Sequence, residues 1–176
     1  MRSQVIAAAL KRVESVLRRR PAIALQDDSP AEARWEGGTH VVTSHSGGAQ
    51  VVTDMPRELG GSGEHTTPGW LMRAGLASCA ATQIAMEAAV RGIELTTLTV
   101  VARSRSDTRG MLGLSDVTGD AVTAAPQDVQ LLVRIGAETG SPDRLKALVE
   151  DTQRCSPVTS ALREPVPVSV HVEVVE

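Results

Sequence analysis

The sequence predicts an α+β domain in which antiparallel sheet packs on one long central helix. Two patterns carry that expectation. A helical stretch from about Pro68 to Arg91 has a middle, Ala74 to Ala81, built almost wholly of small residues, which lets other backbone approach closely on most sides. Several segments instead alternate with period two, most cleanly Val166, Val168, Val170, Val172 and Val174. With 176 residues the chain has the length of one domain and enough material for one apolar core.

In order along the chain, Ile6, Ala9, Leu10, Val13, Val16 and Leu17 recur at helical spacing from Ser3 to Arg20, and Pro21 ends the run. This amphipathic helix needs a partner surface. A polar linker from Gln26 to Pro30 follows. The stretches Ala33–Trp35, Val41–Ser44 and Gln50–Asp54 read as short strands, and the turn signals Glu36-Gly37-Gly38 and Ser46-Gly47-Gly48 join them into an antiparallel meander. The loop Leu59-Gly60-Gly61-Ser62-Gly63-Glu64 lacks the Lys-Ser/Thr ending of a phosphate-binding loop and reads as a flexible connection.

Thr67 is the expected N-cap of the central helix, Pro68 its first residue, and Gly92 its stop. Strands follow over Thr96–Arg103 and Val129–Ile135. A helix capped by Ser141 and begun by Pro142 comes next, with Leu145, Leu148 and Val149 inward, and leads the chain towards Cys155. Residues 104–127, rich in Gly, Asp, Ser and Thr, resist assignment and exceed ordinary loop length. The final valine series is the last expected strand.

Composition excludes several function classes. Trp35 and Trp70 are the only aromatics, too few for a base-stacking platform, and a net charge of −3 gives phosphate backbones no general attraction. Arg18-Arg19-Arg20 suits the negative end of the first helix and implies no nucleic acid or membrane partner. No window approaches a membrane span, and the apolar run Val5–Leu10 is too short for a secretory signal, so a cytoplasmic location is expected. The two cysteines, Cys79 and Cys155, are too few for a disulfide framework and suit a reducing compartment. His40, His45, His65 and these thiols lack zinc-ligand spacing, so no metal and no cofactor is expected.

Cys79 sits in the middle of its helix, away from the activating field of a helix N-terminus, with Gly75, Leu76, Thr82 and Gln83 one turn away and Met72 and Met86 two. Residue type and place alone suit a buried structural thiol as well as a reactive one.

Here the chain resembles a known family. Gly60-Gly61-Ser62-Gly63, Thr67-Pro68 and Leu76-Ala77-Ser78-Cys79 are similar to the approach to the central helix in the OsmC/Ohr proteins (osmotically inducible protein C and organic hydroperoxide resistance). Arg154-Cys155-Ser156-Pro157-Val158 resembles that family's second cysteine motif. The similarity runs from about Ala33 to the C-terminus, which makes residues 1–30 an N-terminal amphipathic helix with linker and residues 31–176 an OsmC-like domain. The resemblance implies the OsmC-like fold and an intertwined homodimer with thiols near its interface. It also implies that Cys79 is the peroxidatic thiolate that attacks an organic hydroperoxide, that Cys155 resolves the sulfenic acid as a disulfide, and that an external dithiol restores both.

The family's activating arginine falls where this chain has Thr39, and its glutamate at the start of the helix where this chain has Gly69. Arg57 and Glu64, with His40 and His65, are the available substitutes, and Arg57 leads them because it is charged at every relevant pH. Two functions follow from the same residues. One is a thiol peroxidase acting on organic hydroperoxides, and the other a non-enzymatic OsmC-like protein that binds a small apolar ligand or senses oxidants.

Overall fold

A computed structural model describes residues 2–164 and 166–175, without the side chain of Arg2. Helix α1 (Arg2–Arg19) opens the chain. Strands β1 (Ala31–Gly37), β2 (His40–His45) and β3 (Gln50–Thr53) form an antiparallel meander in that order. Trp35 pairs with Val41 and Val42 with Val52, so the alternation seen in the sequence sets the register.

Helix α2 (Pro68–Val90) is the predicted central helix. Thr67 caps it by accepting the backbone N–H of Trp70 at 3.2 Å, and Gly92 leaves it with φ +65, a left-handed conformation that favours glycine. Leu76, Ala80, Ile84 and Ala88 recur every fourth position and are buried, which places one stripe of the helix in the core. Against it lie the antiparallel pair β4 (Leu95–Arg105) and β5 (Gln127–Ala137), and helices α4 (Pro142–Thr152) and α5 (Pro157–Arg163). Ser141 caps α4 as expected, accepting from the Arg144 N–H at 3.3 Å.

The core joins Ile84, Ala88, Ile93 and Leu148, with Leu98, Val100, Val133 and Ile135 from the sheet packed onto them. Arg91 bridges Glu87 (2.6 Å) and Asp151 (3.0 Å), which ties the end of α2 to α4. Helix α1 lies on α2 and leaves an open groove of about 1010 Å³ lined by Leu10, Val13 and Leu17 and by Gln83, Met86 and Val90. Val5, Val13 and Val16 stay exposed, uncovered by any of the described residues.

The region that resisted assignment holds a short helix, α3 (Thr108–Met111), capped by Asp107. Side-chain turns order the rest, with Asp116 accepting from Thr118 and from the Asp120 N–H. A Cβ at Gly110 would lie 2.1 Å from the Thr123 carbonyl oxygen, so the segment folds back on itself at a place only glycine permits.

The expected final strand is the main departure. Residues 166–175 belong to no ladder, and Val166, Val168, Val170, Val172 and Val174 are between 62% and 86% exposed. A strand exists through its neighbour's N–H and C=O groups, and among the described residues no segment pairs with these. Period two reported their extended preference correctly but not their pairing.

Candidate functional site

Cys79 is partly exposed on α2, and its sulfur lies 3.3 Å from the Ser156 hydroxyl. Ser156 is fully buried at the junction between the turn Gln153–Cys155 and α5. It occupies the N-cap position, followed by Pro157 at the first helical position, yet its side chain makes no capping hydrogen bond. A serine there ordinarily accepts a backbone N–H of the first turn. Here the hydroxyl is turned to Cys79 and, at 3.0 Å, to the Thr159 hydroxyl. Thr159 also donates to Gln153 Oε1 at 3.3 Å, and Gln153 Nε2 is buried with no hydrogen-bond partner among the described residues. The result is an unbroken polar line, Cys79–Ser156–Thr159–Gln153, inside mostly apolar packing.

Cys155 is exposed and directly precedes Ser156, and both thiols are free. Beyond Thr159 and Gln153 lies a cavity of about 450 Å³ whose other walls include Leu76, Val129, Leu131 and Leu162, with Arg163 also lining it.

The charged residues singled out in the sequence lie in another network. Asp54 is buried, and its carboxylate accepts from the Ser62 hydroxyl (2.6 Å), the Ser62 N–H (2.8 Å), the Met55 N–H (2.7 Å) and the Thr39 hydroxyl. The Ser62 and Thr39 hydroxyls, then the Ser62 N–H, hold this carboxyl well below its ordinary value, and burial opposes them only in part. A Cβ at Gly61 would sit 1.8 Å from the Met55 carbonyl oxygen, so glycine is required for the loop to close over Asp54. Arg57 donates to the Ser62 carbonyl at 2.9 Å and is exposed, as is Glu64. The rings of His40 and His65 lie 5.1 Å apart. Among the described residues, no hydrogen bond or ion pair joins Arg57, Glu64, His40 or His65 to Cys79. Thr39, which stands where an activating arginine was sought, serves Asp54 instead. At Gly69 an added Cβ would meet only Arg73 and Thr67, at 3.8 and 3.9 Å.

Sequence reasoning missed Ser156, Thr159 and Gln153. Ser156 and its neighbours were visible as a motif, but only the cysteine in it suggested chemistry. The available signal was spacing: Gln153, Ser156 and Thr159 follow one another at intervals of three, close to one helical turn, although Ser156 itself is extended between the turn Gln153–Cys155 and α5.

Asp54 gives a pH prediction with a definite sign. Its folded carboxyl is more acidic than an unfolded one, so its contribution is complete above about pH 4, the unfolded value, and is lost as pH falls further. Asp54→Asn should therefore lower the melting temperature at pH 7 and differ less from wild type near pH 3. A gap that stayed constant across that range would contradict the assignment.

Taken together, two antiparallel sheets, and a central helix whose thiol lies against the second cysteine motif, define an α+β architecture. The chain belongs to the OsmC-like protein family, which matches residues 61–171. Among solved structures it is similar to an OsmC-like protein from Mycoplasma pneumoniae, with 14% identity, a TM-score of 0.66, and 80% of this chain and 91% of that one covered. It is also similar to an organic hydroperoxide resistance protein OsmC from Legionella pneumophila, with 24% identity, a TM-score of 0.55, and 79% and 91% covered. A third is the organic hydroperoxide resistance protein OhrB of Bacillus subtilis, with 17% identity, a TM-score of 0.51, and 79% and 93% covered. At these identities the likeness establishes the fold. Among curated proteins, none matches the sequence.

Proposed function

We propose that this chain is a thiol peroxidase that reduces organic hydroperoxides, with Cys79 attacking and Cys155 resolving. The observation that carries the reading is the Cys79–Ser156 contact, because it seats the second cysteine motif against the first thiol. The Cys79 thiolate attacks the distal peroxide oxygen, an S–O bond forms as the O–O bond breaks, and the departing alkoxide takes a proton to become an alcohol. The Cys155 thiolate then attacks the sulfenic sulfur, forming the disulfide and releasing hydroxide, which is protonated to water. An external dithiol exchanges with the disulfide and returns both thiols. In this reading Arg57 and Glu64 are charged groups of the loop before α2, where Arg57 is held by the Ser62 carbonyl rather than by Cys79. Purified protein should turn over an organic hydroperoxide with a small dithiol as reductant. No consumption of peroxide would sink the proposal.

A second reading has its own support. The apolar cavity beside this polar line suits a small apolar ligand, and no cation is bonded to Cys79 among the described residues. Ligand binding or oxidant sensing without turnover is then the alternative.

The same reading includes a homodimer. The pair β4–β5 is too small to be stable alone and has two open edges, while the valine segment 166–175 has no strand partner among the described residues. A second copy satisfies both. No helix among the described residues is long and apolar enough to cross a membrane, and two free thiols suit a reducing, cytoplasmic setting. Sedimentation at micromolar concentration should give a dimer, and deletion of residues 165–176 should weaken it. A stable, folded monomer of the full chain would overturn this.

A further inference from the structure

We propose that Ser156, Thr159 and Gln153 form a reversible hydrogen-bond relay that stabilises the Cys79 thiolate with neutral donors in place of a cation. This rests on the reading of Cys79 as a nucleophile and names what supports it.

A threonine hydroxyl has one proton to give, yet Thr159 lies within bonding distance of both the Ser156 hydroxyl (3.0 Å) and Gln153 Oε1 (3.3 Å). The Gln153 carbonyl oxygen only accepts, so Thr159 donates to it and must accept from Ser156. Ser156 has then given away its proton and can only accept from Cys79, whose S–H supplies it. Every bond in this arrangement points away from the sulfur, and it requires a thiol.

Loss of the thiol proton to water reverses the line. The sulfur becomes an acceptor, Ser156 rotates to donate to it at 3.3 Å, and Thr159 rotates to donate to Ser156. Thr159 then needs a donor of its own. Gln153 has one in reserve, because its Nε2 is buried with no partner among the described residues. A half-turn of the amide exchanges its ends and brings Nε2 to the Thr159 oxygen. What is left over is a carbonyl oxygen, which tolerates burial without a partner better than an N–H does. The same residues thus satisfy both protonation states with the same number of bonds. The cost of keeping this device is visible in Ser156, which occupies an N-cap position and does not cap.

Most of the charges nearby are committed elsewhere. On α2, Arg73 donates to Ser104 of β4, and Arg91 is held by Glu87 and by Asp151 of α4. Asp151 also holds Arg154 beside Cys155, and on α1 Arg18 pairs with Glu14. Arg144 donates to the Arg91 carbonyl, while Lys11 of α1 and Arg163 of α5 line the groove and the cavity. None of these hydrogen bonds or ion pairs reaches the sulfur, which leaves the Ser156 hydroxyl as its polar partner.

The test uses full-length Cys155→Ser protein, in which only Cys79 can be alkylated by iodoacetamide, and follows the rate against pH. Ser156→Ala should move the profile to higher pH and lower the rate at pH 7 about tenfold, the size of one hydrogen bond to a charged acceptor. At Thr159 two substitutions separate the relay from packing. Thr159→Val keeps the shape and loses the hydroxyl, and should shift the profile as Ser156→Ala does. Thr159→Ser keeps the hydroxyl and loses the methyl, and should follow the parent. If Thr159→Val follows the parent, or Thr159→Ser shifts as far as Thr159→Val, the relay is overturned. Peroxide turnover by the wild type is measured separately. A shift of the profile without turnover keeps the relay and removes the peroxidase, whereas turnover without a shift does the reverse.

Discussion

Replacing Cys79 by Ser should abolish consumption of organic hydroperoxide, while Cys155→Ser should allow one equivalent and then stop. The reason is the reactivity of the sulfur. A serine hydroxyl at neutral pH has neither the acidity nor the nucleophilicity to break an O–O bond, so position 79 loses the reaction altogether. In the proposed cycle position 155 acts only after the sulfenic acid exists, so its loss should leave the first step intact and remove the internal disulfide. Rapid mixing with limiting peroxide, followed by mass measurement of Cys79, separates these cases. Two outcomes contradict the assigned roles: undiminished turnover in Cys79→Ser, or multiple turnovers in Cys155→Ser with a dithiol that cannot reduce a sulfenic acid directly. In the wild type, peptide mapping after mild oxidation should find the Cys79–Cys155 cross-link.

The largest loss of stability away from the thiols is expected at Leu148. Its side chain is fully buried on α4, where it meets Ile84 and Ala88 of α2 and Ile93 at the start of the sheet. Leu148→Ala removes apolar contact from three elements at once and leaves a cavity that the helix cannot easily collapse, at a cost of about 2–5 kcal/mol. Urea unfolding should show a lower midpoint with an unchanged slope. The same change should also reduce thiol chemistry, because α4 leads into the turn that delivers Ser156 to Cys79. A loss below about 1 kcal/mol would mean that α4 packs on the sheet less firmly than its burial indicates.

How far the sequence alone reached depends on whether a signal was local. Caps and stops are local, and Thr67, Ser141 and Gly92 act as their residue types and positions predict. So are the glycine turn signals that delimit β1 to β3 and the alternation that marks β5, which located these strands to within a few residues. Pairing is not local, and the valine segment therefore looked like a strand although it has no strand neighbour among the described residues. The candidate site shows the same division. The two cysteine motifs were legible because the residue types are rare and chemically loud. Ser156 and Thr159 were not, since serine and threonine are common and their role depends on a contact between positions 77 residues apart. Thr39 was read as a missing activator, and only the fold reveals that its hydroxyl belongs to Asp54.

Ser156 also bears on how the second thiol moves. A disulfide between Cys79 and Cys155 needs the exposed residue to swing towards the helix, and the segment that must give is the turn Gln153–Cys155 with the start of α5. By withholding its hydroxyl from the first turn, Ser156 forgoes about 1 kcal/mol of capping there. The opening of α5 is therefore inexpensive, and local unfolding can supply the swing without disturbing the rest of the protein. Amide exchange should be fastest over Val158 to Ser160 in the reduced state, and should fall there once the cross-link has formed.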